Sequence, residues 1–273
     1  MSNGYYYLIA SLPELNLTDK NVQFDLVSYR DYIFNSLDAN DAQQLKILYY
    51  PFDIINLGNL IKKREVDWNK AGNYSQSALE AMLQEPTTFP DFLLPFYEKT
   101  NRNWDGWSVK QLTNYATTLY LDWFLTKSNN FLRKWLDFDQ NLNNLLVFLN
   151  CKKYKLSWQE EILGNNFEAE YLRETKTEIA NLDWWDFPVK DVQSQFNNPN
   201  IAVREYLNDE LRWNYISELE AGYSFGIEVL LAYAIRLRII NRNIVNTEEA
   251  GKEHLHYLMD NITNKYKMPE TFN

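Results

Sequence analysis

The amino-acid sequence predicts an all-α protein. Glycine and proline number only 8 each in 273 residues, and the alternation of β-branched and polar residues that marks a half-buried strand is almost absent. Apolar residues recur instead at intervals of three and four, which places them on one face of a helix. From these apolar stripes and the turn residues between them, we expect about ten to twelve helices.

The first predicted element is the N-terminal segment Tyr5–Leu15, YYYLIASLPEL. Its aromatic and aliphatic residues predict a buried helix that closes the first part of the fold, and Pro13 marks the point where the chain leaves that helix. No basic residue precedes the apolar run, so we do not expect a signal peptide. A second helix is predicted from Asp19 to Leu37. The residues on its apolar face are Val22, Leu26, Ile33 and Leu37.

The middle of the chain contains the clearest helical pattern. Its apolar positions are Leu112, Tyr115, Ala116, Leu119, Tyr120, Trp123 and Phe124. Ser108 can cap this helix while Gln111 reaches back to the cap, the arrangement called a capping box. Ser157 and Glu160 have the same spacing and predict another helix start. Near the end, Thr247 before two glutamates predicts the start of the last helix, with an apolar stripe at Leu255, Leu258, Met259 and Ile262.

Clusters of turn residues divide the chain into three helical lobes. They fall at residues 65–77, 85–90, 100–107 and 184–200. These breaks are short and aromatic, so we expect them to dock on the helices rather than act as flexible linkers. We therefore predict one all-helical unit over residues 1–273, with lobes at approximately 1–104, 105–185 and 186–273.

Two segments of the chain resemble each other. FDIINLGNLIKKR begins at Phe52, and FDQNLNNLLVFLN begins at Phe138. With one residue of slippage after Phe-Asp, residues 56–61 lie over residues 141–146. An Asn-Leu pattern of this length can arise by chance, but a helical stretch before each copy and a basic pair after it favour an internal repeat. A third, weaker copy, AYAIRLRIINRNI, begins at Ala232.

Composition excludes several classes of function. Asp and Glu number 37 against 27 for Lys and Arg, which gives a net charge of -10. Such a chain is repelled by nucleic-acid phosphates and by anionic lipid headgroups. No segment has the roughly 20 predominantly apolar residues of a membrane span. The single cysteine, Cys151, excludes an internal disulfide and agrees with a reducing compartment. We expect a cytoplasmic protein that reaches a membrane only through protein partners.

Residue types that carry chemistry are few. No nucleophile elbow and no nucleotide-binding loop is present. Two lysines follow Cys151 and could lower the pKa of its thiol, but a packing role explains a lone cysteine in a helical stretch better. The acid pairs Glu160–Glu161 and Glu248–Glu249 are the raw material of a glycosidase. Their predicted positions in helix first turns are better explained by the helix dipole.

Both histidines of the chain, His254 and His256, lie close to its end. Glu253 and His256 have the E-x-x-H spacing of ligands in di-iron helix bundles, but such a site needs a second E-x-x-H that this chain lacks. Zinc binding by the two histidines and nearby carboxylates is conceivable. A solvated helix face explains the pattern better, so we assign no catalytic, cofactor-binding or metal-binding residue and expect no enzyme.

The repeat and the N-terminal segment resemble the C subunit of bacterial and archaeal V/A-type ATPases, the counterpart of the d subunit in eukaryotic V-type ATPases. Phe52–Arg64 carries that family's pattern of an acidic residue, Asn-Leu and a basic residue, with Asp53, Asn56, Leu57 and Arg64 at the matching places. Tyr5–Tyr7 is similar to the tyrosine-rich start of the first lobe. The final stretch, from Gly226 through Ile240 to the helix predicted at Thr247, is similar to the C-terminal lobe. The chain resembles still more closely an uncharacterised bacterial family that accompanies V-type ATPase genes.

The resemblance implies a function without an active site. Three lobes would form a funnel that seats the central rotor shaft on the proteolipid ring and couples rotation to ion transport. The implied partners are the central-stalk subunits and the proteolipid ring, at the cytoplasmic side of the inner membrane. The alternative is an all-helical enzyme or ligand-binding protein with a pocket built from Trp104, Trp107, Trp184 and Trp185. An enclosed polar cavity would favour this alternative, and exposed apolar patches would favour the assembly role.

Overall fold

The computed structural model describes residues 4–19, 25–100, 103–175, 179 and 185–245. These residues form 11 α-helices and no strand, which confirms the all-α prediction. The helices are α1 Tyr6–Ser11, α2 Leu26–Ser36, α3 Ala39–Ile61, α4 Gln76–Gln84, α5 Leu94–Thr100, α6 Val109–Lys127, α7 Asn130–Lys153, α8 Phe167–Glu174, α9 Val189–Phe196, α10 Ile201–Glu220 and α11 Ile227–Val245. Two short 3₁₀ helices, Pro86–Thr88 and Asp91–Leu93, precede α5.

Helix α6 has the predicted start. The backbone N–H of Gln111 donates to Oγ of Ser108 at 3.2 Å, and the backbone N–H of Ser108 donates to Oε1 of Gln111 at 2.9 Å. This pair of bonds is the capping box. The buried residues of the helix are Leu112, Ala116, Tyr120, Leu121 and Phe124. Local hydrogen bonding and apolar spacing therefore agree along this segment.

Helix α2 is shorter than predicted. It begins at Leu26 rather than Asp19, because Asp25 caps it and accepts a hydrogen bond from the backbone N–H of Val27 at 3.1 Å. An aspartate at this position satisfies an N–H that has no partner within the helix. Val22 of the predicted apolar face lies outside the described residues.

The predicted helix start at Ser157 is wrong. The chain closes one turn, in which the N–H of Ile162 donates to the carbonyl of Trp158 at 3.1 Å, and then departs at Gly164 with φ of 80°. Trp158 forms a hydrogen bond with a residue outside this turn, since its indole N–H donates to the carbonyl of Leu172 in α8 at 2.9 Å. Contacts that are distant in sequence therefore override the local capping signal.

The break predicted at residues 184–200 contains helix α9. Its buried residues, Val189, Val192 and Phe196, follow helical spacing. Prolines at positions 188 and 199 confine it to eight residues, too few for a clear periodic signal. The helix predicted after Thr247, with its apolar stripe, lies outside the described residues.

Helix α3 passes through a proline in its interior, Pro51. Because proline has no backbone N–H, the carbonyl of Ile47 loses its partner four residues along the helix. The buried hydroxyl of Tyr120 donates to that carbonyl at 2.9 Å. Arg238 donates to the next carbonyl, that of Leu48, at 2.6 Å. The proline thus opens α3 to hydrogen bonds from α6 and α11.

One core connects the helices. Its buried apolar residues extend from Leu8 in α1 to Ile239 in α11. Helix α11 packs against α2, α3, α7 and α10, so the C-terminal part of the described chain contacts the N-terminal and middle parts. Helix α6, from the second predicted lobe, packs most extensively on α3 of the first. The lobe boundaries stay a prediction, and the described helices surround a shared core.

Candidate functional site

Asp53 and Asn56, the residues of the acidic and Asn-Leu motif, lie buried on α3, each 2% exposed. The carboxylate of Asp53 accepts three hydrogen bonds: from the backbone N–H groups of Asn73 and Tyr74 at 3.0 and 3.1 Å, and from Nδ2 of Asn73 at 2.8 Å. Asn56 exchanges two bonds with the backbone of Asn69, at 2.9 and 3.1 Å. Both side chains bind the loop that follows α3.

Helix α7 repeats this arrangement. Asn144 exchanges two hydrogen bonds with the backbone of Leu163, at 2.9 and 3.0 Å. Three residues earlier, Asn141 accepts a bond from Nδ2 of Asn166 at 2.9 Å. Asn166 in turn caps α8 by accepting from the N–H of Ala169 at 3.1 Å. A long helix therefore binds its following loop through two side chains spaced by three residues, in both copies.

These contacts correct the register of the internal repeat. Asn144, not Asn141, has the partners that correspond to those of Asn56, and Asn141 takes the place of Asp53. The alignment from sequence, in which Asn56 lay over Asn141, is displaced by three residues, or about one helical turn.

Both long helices also end in the same way. Lys63 and Lys155 have φ of 50° and 57°, two residues beyond the helix. The following N–H groups bond back in the Schellman pattern, from Arg64 to Asn59 at 3.0 Å and from Leu156 to Cys151 at 2.8 Å. The basic residue of the motif, Arg64, is therefore part of a helix end. The motif that carries the resemblance therefore binds loops and ends helices within this chain.

A buried charge network joins α7, α10 and α11. Arg212, 4% exposed, donates to Oδ1 of Asp139 at 2.6 Å and to Oδ1 of Asn143 at 2.7 Å. Asp209 is fully buried and pairs with both Arg212 and Arg242. Burial alone would raise the pKa of Asp139, but the attraction and hydrogen bond of Arg212 outweigh it and hold that pKa below its usual value. The network fixes the relative positions of three helices.

The candidate functional site is a set of exposed aromatic side chains on α1 and on the two segments hydrogen-bonded to it, which we call the exposed aromatic surface: Tyr6, Tyr7, Tyr32, Tyr223 and Phe225. Their exposed fractions are 57%, 95%, 48%, 38% and 43% respectively. Single exposed apolar residues are ordinary, but a cluster of them marks a binding surface. The rings of Tyr6 and Phe225 lie 4.1 Å apart, and Ser11 of α1 hydrogen-bonds the hydroxyl of Tyr32 at 3.0 Å. The members therefore come from three places in the chain.

The exposed aromatic surface is held in place by Tyr5. Its backbone N–H donates to the carbonyl of Phe225 at 2.8 Å, and its hydroxyl donates to Oδ2 of Asp41 at 2.6 Å. Burial, together with this bond to Asp41, raises the pKa of the Tyr5 hydroxyl, so it stays a neutral donor. Helix α1 is thus anchored to α3 and to the turn between α10 and α11.

The N-terminal prediction is correct in part. A helix forms at Tyr6–Ser11 and ends before Pro13, but Leu8 is its only buried residue. Tyr6 and Tyr7 point outward, because a helix of six residues on the surface can turn only one side to the core. Tyr223 and Phe225 were not selected from the sequence. The sequence contained a signal for their exposure, since the two aromatic residues lie between glycines in AGYSFG. Glycines on both sides indicate a turn, and a turn lies at the surface rather than in the core.

The tryptophan pocket of the alternative interpretation is not assembled in the described residues. Trp107 lies 5.8 Å from the ring of Tyr115 in α6, whereas Trp185 lies 5.1 Å from Phe187. Trp184 falls outside the described part of the chain. Two cavities of the described structure, of about 250 and 60 Å³, are lined by other residues, and among those lining residues the only tryptophan is Trp68.

The remaining candidates from the sequence are Cys151, two acid pairs and the E-x-x-H pattern. Cys151 is buried, and burial raises the pKa of its thiol rather than lowering it. Glu161 pairs with Lys110 at 2.5 Å in a loop, so the helix-dipole explanation does not apply to Glu160 and Glu161. The pair Glu248–Glu249 lies beyond the described residues, as do the residues of the E-x-x-H pattern, Glu253, His254 and His256.

The described residues contain no group of three or more His, Cys, Asp or Glu side chains placed to hold a metal ion. None of their helices is both long enough and apolar enough to cross a membrane.

Comparison with known proteins gives one match. The model of a family described as "Protein of unknown function (DUF2764)" matches residues 1–266, nearly the whole chain. Neither the curated proteins nor the solved structures contain a match.

Proposed function

The chain belongs to this family of proteins of unknown function, and we propose that it is a non-catalytic component of a V-type ATPase that resembles the C subunit. In this role it seats the central rotor shaft on the proteolipid ring and couples rotation to ion transport. Its partners are the central-stalk subunits and the ring, and it meets the membrane only through them. The resemblance of the motif and of the N-terminal segment to the C subunit supports a V-type ATPase as the assembly. The exposed aromatic surface supports a role in binding another protein.

The observation that carries the proposal is the exposed aromatic surface. Tyr7 is 95% exposed, yet the helix that presents it is anchored at both the backbone and the hydroxyl of Tyr5. Tyrosine and phenylalanine are enriched at protein interfaces, since they bury a large area at little cost in side-chain entropy. A rigidly held aromatic surface is therefore suited to a protein partner.

The charge of the chain supports a protein partner over a lipid one. The net charge is -10, which opposes binding to anionic headgroups. Asp41 and Asp38 lie beside Tyr5 at the edge of the exposed aromatic surface. We therefore propose that the partner surface combines an apolar centre with basic residues around it.

The test is a pull-down of the tagged chain from gently solubilised native membranes, with the co-purifying proteins identified by mass spectrometry. We expect the stalk subunits and the proteolipid. In the variant Tyr7→Ser their recovery should fall by roughly tenfold or more, the effect of losing an aromatic residue at the centre of an interface. Because Tyr7 is almost fully exposed, this variant should fold as the wild type does.

Tyr154→Ser is the matched control. Tyr154 is 64% exposed and lies at the end of α7, outside the exposed aromatic surface. Its substitution should leave recovery unchanged. A chain that is recovered without any component of the ATPase would refute the proposed function. Equal losses in the two variants would refute the assignment of the surface.

A further inference from the structure

A cavity of about 250 Å³ lies between α7, α9 and α10. It is separate from the exposed aromatic surface. Its lining is mixed: the apolar side chains are Leu146, Phe196 and Ile201, and the polar ones are Asn150, Gln195, Arg204, Glu205 and Asn208. A cavity with an apolar wall and a few convergent polar groups has the character of a small-molecule site.

One amide oxygen of the lining is buried without a partner. Oε1 of Gln195 is enclosed and accepts no hydrogen bond from another described residue. Asn208, which is 5% exposed, lines the same cavity with its amide. A buried amide oxygen without a partner is unfavourable, so Gln195 is suited to accept from an N–H group that enters the cavity.

Two basic side chains lie beside Phe196 of the cavity, which Glu205 also lines. The guanidinium of Arg204 lies 5.2 Å from the centre of the Phe196 ring, and Nζ of Lys153 lies 5.3 Å from the centre of the same ring. Nη1 of Arg204 donates to the carbonyl of Phe196 at 3.2 Å, whereas its Nε is buried without a hydrogen-bond partner. Neither Arg204 nor Lys153 forms an ion pair with a described acidic residue. In a chain of net charge -10, two cations without acidic partners beside one ring favour an anion.

We propose that this cavity binds a small carboxylate with an apolar body. Arg204 pairs with the carboxylate, since guanidinium and carboxylate groups match in geometry as well as charge. Asn208 supplies a further hydrogen bond, and Leu146, Phe196 and Ile201 contact the apolar part. The same chemistry belongs to a free apolar amino acid and to the C-terminal residue of a peptide. Glu205 at the cavity distinguishes them, because it can form an ion pair with the ammonium group of a free amino acid but not with the acylated nitrogen of a peptide C-terminal residue.

The test is titration calorimetry of the purified full chain with N-acetyl-leucine, leucine and N-acetyl-leucinamide. We expect the two carboxylates to bind and the amide, which lacks the charge, to bind about tenfold more weakly or not at all. Leucine binding more tightly than N-acetyl-leucine would identify a free amino acid as the ligand. The reverse order would identify a peptide C-terminus. The measurement needs no other component of the ATPase, so its result is independent of the proposed function.

Two variants make the test specific to the cavity. Arg204→Gln should weaken binding of N-acetyl-leucine by about tenfold or more, whereas Arg133→Gln, at an exposed arginine of α7, should leave the dissociation constant unchanged. Asn208→Leu should also weaken binding, by filling the cavity and removing the amide. Absence of binding by both carboxylates, or equal binding by wild type and Arg204→Gln, would overturn the proposal.

Discussion

Asp53 links the free energy of unfolding to pH. Burial raises the pKa of Asp53 from 3.8 to about 6, although three hydrogen bonds act in the opposite direction. The folded state therefore binds the proton more tightly than the unfolded state. The contribution of this pKa shift to the free energy of unfolding is fully present below about pH 4 and is lost as the pH rises through about 6.

The corresponding prediction compares Asp53→Asn with the wild type. Between pH 7 and pH 4.5, the free energy of unfolding of the wild type should rise relative to that of Asp53→Asn, by on the order of 2 kcal/mol. Urea denaturation at several pH values measures this difference. The exposed Asp105→Asn is the control and should follow the wild type. Parallel pH profiles for the wild type and Asp53→Asn would contradict the assigned shift.

Asn56 and Asn144 should have equal structural roles. Each holds a backbone N–H and a backbone carbonyl of the following loop, and leucine at either position would leave both groups unpaired. We expect Asn56→Leu and Asn144→Leu each to lower the free energy of unfolding by about 2–4 kcal/mol. Thermal or urea denaturation measures both, with the exposed Asn35→Leu in α2 as the control. A large effect at only one of the two positions would argue against the corrected register.

The register of the repeat shows what sequence alone leaves open at the residue scale. The stretch from Asn141 to Leu145 reads Asn-Leu-Asn-Asn-Leu, so a shift of three residues places Asn-Leu over Asn-Leu again. Three residues are close to one helical turn, and both alignments keep the same apolar face. The two alignments are distinguished only by the hydrogen-bond partners of the side chains, which lie up to 25 residues away in the sequence.

At the scale of the elements, prediction succeeded where the signal is local. The capping box and apolar spacing of α6 involve residues within one helix, and the structure reproduces both. The same spacing at Ser157 failed, because the segment is bound by Asn144 and by the carbonyl of Leu172, neither of which the local sequence contains. The outward position of Tyr7 was missed for a similar reason, since burial depends on how α1 docks.

The hydrogen bond between Tyr120 and the carbonyl of Ile47 can be tested as a compensation for Pro51 in α3. Tyr120→Phe removes the hydroxyl that satisfies the carbonyl of Ile47 and should cost about 1–2 kcal/mol in free energy of unfolding. In the background of Pro51→Ala the same substitution should cost much less, because the alanine N–H can bond that carbonyl within α3. A double-mutant cycle of the two substitutions, measured by urea denaturation, gives the coupling. Additive effects would show that the tyrosine does not compensate for the proline.

At the scale of the whole molecule, the charge balance and the exposed aromatic surface act on different steps of binding. A net charge of -10 acts over distances near the Debye length, about 8 Å at physiological ionic strength, and so guides the approach to a basic partner. The aromatic rings act only on contact, and their burial determines how long the complex lasts. The proposed function therefore predicts that salt and surface mutation change different rate constants.

This prediction can be measured by biolayer interferometry, with the tagged chain on the sensor and a detergent-solubilised V-type ATPase assembly in solution. Raising the salt from about 0.1 M to about 0.5 M should slow association several-fold and change dissociation little. Tyr7→Ser should instead speed dissociation by roughly tenfold at either salt concentration, whereas Tyr154→Ser should change neither rate. If salt left association unchanged, the partner would not carry the basic surface that we propose. If Tyr7→Ser changed neither rate constant, the contact would lie elsewhere on the chain.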